Sequence, residues 1–145
     1  MKLSTRVRYG CRAMVELAAR GHDGPVALET MAAAQHISER YLAKIIQDLR
    51  RSGLIRSVRG PHGGYALNRE PAEITMLDIW EALEGSLAPV GCLDDPAECG
   101  MVDNCVMRGV WAAFRKAAEG VLGGADLAAL ARRHKRRMRS TKSSK

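Results

Sequence analysis

The sequence predicts a mainly α fold: a winged helix-turn-helix with a small β-hairpin wing, followed by a long dimerisation helix. Three observations predict it. Two short helical patterns are joined by a tight turn that ends at Ser38. A strand, a Gly-Pro-His-Gly-Gly turn and a second strand follow at once. Further on, Val110, Phe114, Ala117 and Val121 recur at spacings of four, three and four, the pattern of a coiled-coil seam.

The elements follow in order. Val7, Cys11, Met14, Val15 and Ala18 repeat at helical spacing, so residues 5–20 read as a helix capped by Ser4 or Thr5. Gly21 to Pro25 ends it. Leu28 to Ala34 form a short second helix, and Gln35, His36 and Ile37 connect it to a third. Ser38 caps that third helix, on which Leu42, Ile45, Ile46 and Leu49 share one face. Gly53 stands where a C-terminal cap glycine belongs. Residues 54–59 and 65–68 are strand candidates, with Tyr65 and Leu67 alternating inward. Thr75 and Asp78 form a capping-box pattern ahead of a helix holding Ile79, Trp80 and Leu83. Residues 85–104 read as a loop. The seam helix comes next, with Asp103 or Asn104 as its cap. Its apolar stripe is expected to pair with a second copy. A last helix is expected from Asp126 to about Met138. The expected segments are therefore 1–70, the DNA-binding unit; 71–138, the cysteine loop and dimerisation helices; and 139–145, a basic disordered tail.

Composition narrows the function. The 145 residues are 46% hydrophobic but only 4% aromatic, so the core must be aliphatic. No apolar run approaches the roughly 20 residues of a membrane span, and the N-terminus lacks a signal-peptide stretch, so a cytoplasmic protein is expected. Net charge is +7 and unevenly spread. Residues 1–69 carry 12 Lys/Arg against 5 Asp/Glu, residues 70–131 carry 3 against 11, and residues 132–145 carry 8 against none. A basic first module suits a polyanion, because each neutralised phosphate releases counterions. His22, His36, His62 and His134 are scattered and no nucleophile–base arrangement stands out, so an enzyme is not expected.

The DNA-binding candidates follow from the elements. The first turns of a recognition helix meet base edges in the major groove. Those positions here are Ser38, Glu39, Arg40, Tyr41 and Lys44. Arg40 and Lys44 can donate to guanine or phosphate, and Glu39 can accept from cytosine or cap the helix. Tyr41 reads either as core or as a phosphate contact. Arg51 sits at the helix end; its neighbour Arg50 reads better as a partner of the helix dipole. In the wing, Arg56 and Arg59 lead into a tip of Gly60, Pro61, His62 and Gly63. The small tip lets the Arg59 guanidinium enter a narrow minor groove, and the glycines let backbone approach phosphate.

Three of the four cysteines, Cys92, Cys99 and Cys105, fall within 14 residues. Clustered cysteines in a cytosolic chain point to metal or redox chemistry rather than disulfides. Structural zinc usually takes four ligands at short paired spacings. Gaps of six and five residues with no histidine nearby suit an iron–sulfur cluster better. A helix beginning near Cys105 would favour an anionic group. Two alternatives stay open: a metal-free thiol-switch regulator using the same cysteines, and an iron–sulfur carrier or redox protein. Cys11, on an apolar helix face, reads as a small core residue.

With both halves in view, the chain resembles the Rrf-two family, the IscR/NsrR/RirA-type regulators. The resemblance runs to about residue 130. It is carried by Lys2-Leu3-Ser4, Tyr9, Ile37-Ser38, Tyr41-Leu42 and Leu54-Ile55. It continues through Ser57-Val58-Arg59-Gly60-Pro61, Gly63-Gly64-Tyr65, Ile74-Thr75, the three cysteines and Trp111. It implies a winged-helix homodimer on double-stranded DNA at a palindromic operator; a repressor is the expected role, with activation left open. It also implies a 2Fe–2S or 4Fe–4S cluster on Cys92, Cys99 and Cys105. The chain departs from the family where relatives place a fourth ligand. Arg108 stands in place of a histidine, and Arg8 in place of an acidic residue. The fourth ligand is left open among Asp94, Asp95, Glu98, Asp103, a partner residue, water or a small thiol.

Overall fold

Helix α1 (Thr5–Arg20) starts at Ser4, whose Oγ accepts from the Val7 amide at 3.1 Å. It is the first element of a computed structural model that describes residues 2–143; Met1, Ser144 and Lys145, which end the first and last expected segments, lie outside the described residues. One face of α1 buries Val7, Met14 and Leu17. A Cβ at Gly10 would collide with Leu83, so the glycine is what lets a later helix lie close across α1. Helix α2 (Leu28–Gln35) stops at His36, which adopts the left-handed conformation at φ 54°. Helix α3 (Glu39–Arg51) then starts at Ser38, whose Oγ accepts from the Tyr41 amide at 3.1 Å. The predicted apolar face of α3 is the buried one: Leu42, Ile45, Ile46 and Leu49 are all in the core.

Gly53 closes α3 at φ 81° in a Schellman arrangement: its amide reaches the Arg50 carbonyl at 3.0 Å, and the Leu54 amide reaches that of Leu49 at 3.1 Å. The next residues form the wing. Strands β1 (Ile55–Val58) and β2 (Gly64–Leu67) are antiparallel, with Ile55 opposite Leu67 and Val58 opposite Gly64. Val26 and Tyr65 exchange two backbone hydrogen bonds of 2.9 Å, which fixes the hairpin to the linker between α1 and α2. Tyr65 and Leu67 pack on the core as expected, but all four residues of β2 are half-buried, so its alternation is blurred.

Helix α4 (Met76–Glu84) opens on the predicted capping box: Thr75 Oγ1 accepts from the Asp78 amide at 3.2 Å, and Asp78 Oδ2 accepts from the Thr75 amide at 2.8 Å. A loop with two short 3₁₀ turns leads to α5 (Val106–Gly123) and then α6 (Leu127–Ser143). Met76 and Leu127 bond to the backbones of Ala125 and Ile74, so the starts of α4 and α6 are tied together. Helix α6 lies along α1 and buries Leu127 and Ala131. It also runs past the expected boundary at Met138: residues 139–143, expected as a disordered tail, are helical. Arg and Lys are strong helix formers, and cations suit a helix C-terminus, so the basic run extends the packed helix instead of fraying it. Among the described residues, no helix is long and apolar enough to cross a membrane.

Candidate nucleic-acid interface and cysteine loop

The turn between α2 and α3 presents the first residues of α3 to solvent. Ser38, Glu39, Arg40 and Lys44 are exposed, on the side away from Leu42 and Ile45. Tyr41 is half-buried and braced: its hydroxyl lies 3.1 Å from Thr5 Oγ1, and its ring meets that of Tyr9 edge-on at 6.0 Å. It thereby locks α3 onto α1, a positioning role that the two sequence alternatives did not separate. Arg6 of α1 forms a second tie, an ion pair with Asp48 of α3. Arg51 is exposed, with Nη1 3.5 Å from Asp48 Oδ1, a contact too solvated to hold it tightly. Arg50 donates to Ser57 Oγ at 3.0 Å and fastens the helix end to β1.

The hairpin carries the other basic residues. Arg56 and Arg59 are exposed, as are Gly60, Pro61 and His62 at the tip, while Gly63 is half-buried. The Gly63 amide closes the tip on the Gly60 carbonyl at 3.0 Å. Gly60 adopts φ 115°, and a Cβ at Gly63 would strike the Val58 carbonyl. The tip can therefore be this tight only with glycine at both places. Its exposed amide and guanidinium groups offer donors and positive charge, with no carboxylate on the hairpin to neutralise them.

The cysteine loop is built differently. Cys92 lies in the turn Gly91–Leu93, and Cys99 ends the turn Pro96–Glu98. Cys105 itself occupies the N-cap of α5, without a side-chain capping bond. Asp103 and Asn104, expected as caps, stand outside the helix; the Asn104 amide bonds instead to the Met101 carbonyl at 3.0 Å in the preceding turn. All three thiols are free and half-buried. Iron–sulfur ligation needs thiolates that converge. Among the described residues, no three Cys, His, Asp or Glu side chains are gathered so as to hold a metal ion. As this single chain folds, the three cysteines do not fit an iron–sulfur core. Two residues considered for the fourth position are engaged elsewhere: Asp94 pairs with Arg115 at 3.0 Å, and Asp95 accepts from the Ala97 amide at 3.0 Å.

Helix α5 contributes no buried residue. Val110, Phe114 and Val121 are 53%, 40% and 73% exposed. Cys11 packs against the core, and burial pushes its thiol up to about 11. Sequence reasoning passed over a group of buried polar residues between α1, α2 and α6. Glu16 is 5% exposed and pairs with Arg20 and, at 3.0 Å, with His134 Nε2. Gln35 is 6% exposed, and its Oε1 has no partner. The Glu16–Arg20 spacing of four was the available signal for the first; nothing local marked the second.

Residues 3–133 match the model of the Rrf2 family, described as iron-dependent transcriptional regulators. The chain belongs to the Rrf2 family. It is 40% identical to the HTH-type transcriptional regulator CymR of Bacillus subtilis over 131 residues, 90% of each protein. It is 33% identical to the regulator IscR of Serratia proteamaculans over 130 residues, 90% of this chain and 79% of the relative. Among solved structures, CymR of B. subtilis, described as its global cysteine regulator, superposes with a TM-score of 0.75 at 40% identity, covering 90% of this chain and 96% of that one. T. potens IscR gives 0.73 at 41% identity, covering 88% and 84%. These are winged-helix transcription regulators rather than enzymes, and this Rrf2 chain is a mainly helical DNA-binding transcription regulator of the same kind.

Proposed function

We propose that this Rrf2-family regulator binds double-stranded DNA as a homodimer paired along α5, with Ser38, Glu39, Arg40, Tyr41, Lys44 and Arg51 of the helix-turn-helix and Arg56, Arg59, Gly60, Pro61, His62 and Gly63 of the wing at the duplex. The observation that carries this reading is the uncovered stripe of Val110, Phe114 and Val121 beside a fully cored basic half. One copy has nothing to cover that stripe, and a second copy presents the same residues. Two recognition helices related by a two-fold axis read a palindrome. In a titration of operator DNA against salt, affinity should fall steeply. Arg59→Ala should weaken binding by about tenfold and reduce the salt slope by about one. Salt-independent binding would sink the interface.

The cysteine loop is the sensing segment in this proposal, and metal-free thiol chemistry at Cys92, Cys99 and Cys105 is its first form. The free, half-buried thiols support it, and so does kinship with CymR of B. subtilis, described as a cysteine regulator, and with CymR of Staphylococcus aureus, crystallised in an oxidised form. A change at Cys105 acts at the first turn of α5 and so on the pairing helix. An iron–sulfur cluster on the same three cysteines is the second reading. The description of the family as iron-dependent regulators favours it. It requires the loop to fold differently in the assembled dimer. The visible absorption of anaerobically purified protein separates the two: a colourless, fully active regulator keeps the thiol form, and sulfur-to-iron bands that vanish in Cys99→Ala establish the cluster.

A further inference from the structure

The last helix carries charge that the helix-turn-helix and the wing do not use. Helix α6 holds seven Lys and Arg and no Asp or Glu. The match to the Rrf2 family ends at residue 133, so five of those seven cations lie beyond the matched residues. Leu127 and Ala131 are buried, and His134 reaches Glu16 of α1 at 3.0 Å. With that side of the helix turned inward, helical geometry puts Arg132, Arg133, Arg136 and Arg137 on the other side, and all four are exposed. None of the four pairs with a carboxylate among the described residues.

Such a stripe is held at a cost. Arg132 and Arg136 stand four residues apart, as do Arg133 and Arg137, and like charges at that spacing repel on a helix. The Glu16 carboxylate beneath them is already met by Arg20 and His134. Packing on α1 holds the helix in spite of this repulsion, and a polyanion laid on the outward face would remove it. The chemistry selects among polyanions. A helix that docks on a membrane buries a broad apolar face. Beyond Ala131, the one apolar side chain of α6 is Met138. All four outward residues are arginine, whose planar fork of donors matches phosphate oxygens.

Position points to the duplex. Arg20 lines one groove with Arg139 and Lys142, and the next groove with Val26. Val26 is the residue bonded to Tyr65 of β2, so the basic run ends beside the linker that fixes the wing. At about 1.5 Å per residue, the cations from Arg132 to Lys142 span about 15 Å. A duplex carries about nine phosphate charges over that length. Resting on the duplex-binding reading above, we propose that the outward face of α6 is a second, sequence-independent DNA contact. Arg132, Arg133, Arg136 and Arg137 grip phosphates outside those met by α3 and the wing.

The test uses the full chain and a labelled DNA duplex of arbitrary sequence, read by fluorescence anisotropy across a salt series. The fourfold variant Arg132→Gln, Arg133→Gln, Arg136→Gln and Arg137→Gln should bind about tenfold more weakly and lose about two or more from the salt slope. Glutamine is a good helix former, so circular dichroism should be unchanged. If the fourfold variant fails to fold, the pair Arg136→Gln and Arg137→Gln reads the same surface, at about threefold. Arg59→Ala in the wing separates this claim from the one it rests on. Weakening in Arg59→Ala with none in the α6 variant overturns the second contact and keeps the wing. Weakening in the α6 variant alone keeps the α6 contact and removes the wing. The same pair of proteins, wild type and α6 variant, is titrated with phosphatidylglycerol vesicles and with single-stranded RNA. A difference seen there but not with the duplex would overturn the assignment in favour of a membrane or an RNA.

Discussion

The two halves of this chain are stabilised in opposite ways. The helix-turn-helix half draws Val7, Met14, Leu17, Met31, Leu42, Ile45, Ile46, Leu49 and Ile55 into one aliphatic cluster, with each helix boundary fixed by a cap or a glycine. Residues 88–123 contribute no buried side chain at all. Their loop is held by short turns and by the exposed Arg115–Asp94 pair, and surface pairs of that kind add at most about 1 kcal/mol. The same cluster takes in Ile74, Ile79, Leu83 and Leu127, so α4 and α6 belong to the scaffold, and it is residues 88–123 that stand outside it. A regulator benefits from that division, because a signal can reorganise the weakly held half without unfolding the half that grips DNA.

The contrast breaks most visibly in the core. Leu42→Ala should cost about 2–5 kcal/mol, since it removes a fully buried side chain from a packed interior. Denaturant unfolding checks the figure. Leu93→Ala in the loop should cost well under that, because Leu93 is only half-buried. Equal costs would mean that the loop belongs to the same cooperative unit.

Phe114→Asp tests the second half from the opposite direction. In a single chain the side chain is 40% exposed, so the fold should survive. Across a two-fold seam it would place two carboxylates in an apolar contact, and about 2–3 kcal/mol, or roughly a hundredfold, should be lost from association. Sedimentation should then show a monomer with native circular dichroism. A dimer of undiminished stability would mean that α5 pairs through another face.

A smaller effect probes how α3 is ended. Gly53 holds φ 81° with open space around its missing Cβ, so Gly53→Ala meets no collision and pays only the backbone strain. About 1 kcal/mol of stability should go, the usual cost of a left-handed residue with a side chain. A thermal melt reads it. No loss would show that the Schellman closure tolerates a relaxed backbone.

How far the sequence foretold these features depends on how local their causes are. The face of α3, the Gly53 cap and the Thr75–Asp78 box each rest on residues within a turn of one another, and all three formed as expected. The wing depended on glycines at its tip and was equally visible. The end of α6 was misplaced because a run of cations looks like a solvated tail, whereas α1 packs alongside the helix and carries it onward. The gathering of the cysteines was expected from spacing and family resemblance, and spacing constrains reach without dictating direction; among the described residues no three metal-ligating side chains are gathered. The buried, unpartnered Gln35 acceptor had no local signature.

Cys11 supplies the subtlest separation between the halves. Burial pushes its thiol up to about 11, so the folded state holds the proton where an unfolded chain would release it near 9.0. The folded-state value is the higher one, so the stability linked to this group is fully present below about pH 9 and drains away as pH rises toward 11. Iodoacetamide reacts with the thiolate, so at pH 8 the folded protein should be alkylated at Cys92, Cys99 and Cys105 well before Cys11. Peptide mapping with time resolves the four sites. In 6 M urea the lag at Cys11 should disappear, because the apolar wall that suppresses its ionisation is gone. If Cys11 in the folded chain reacts as fast as the loop cysteines, the wall between α1 and α6 opens readily, and the scaffold half is less self-contained than its packing indicates.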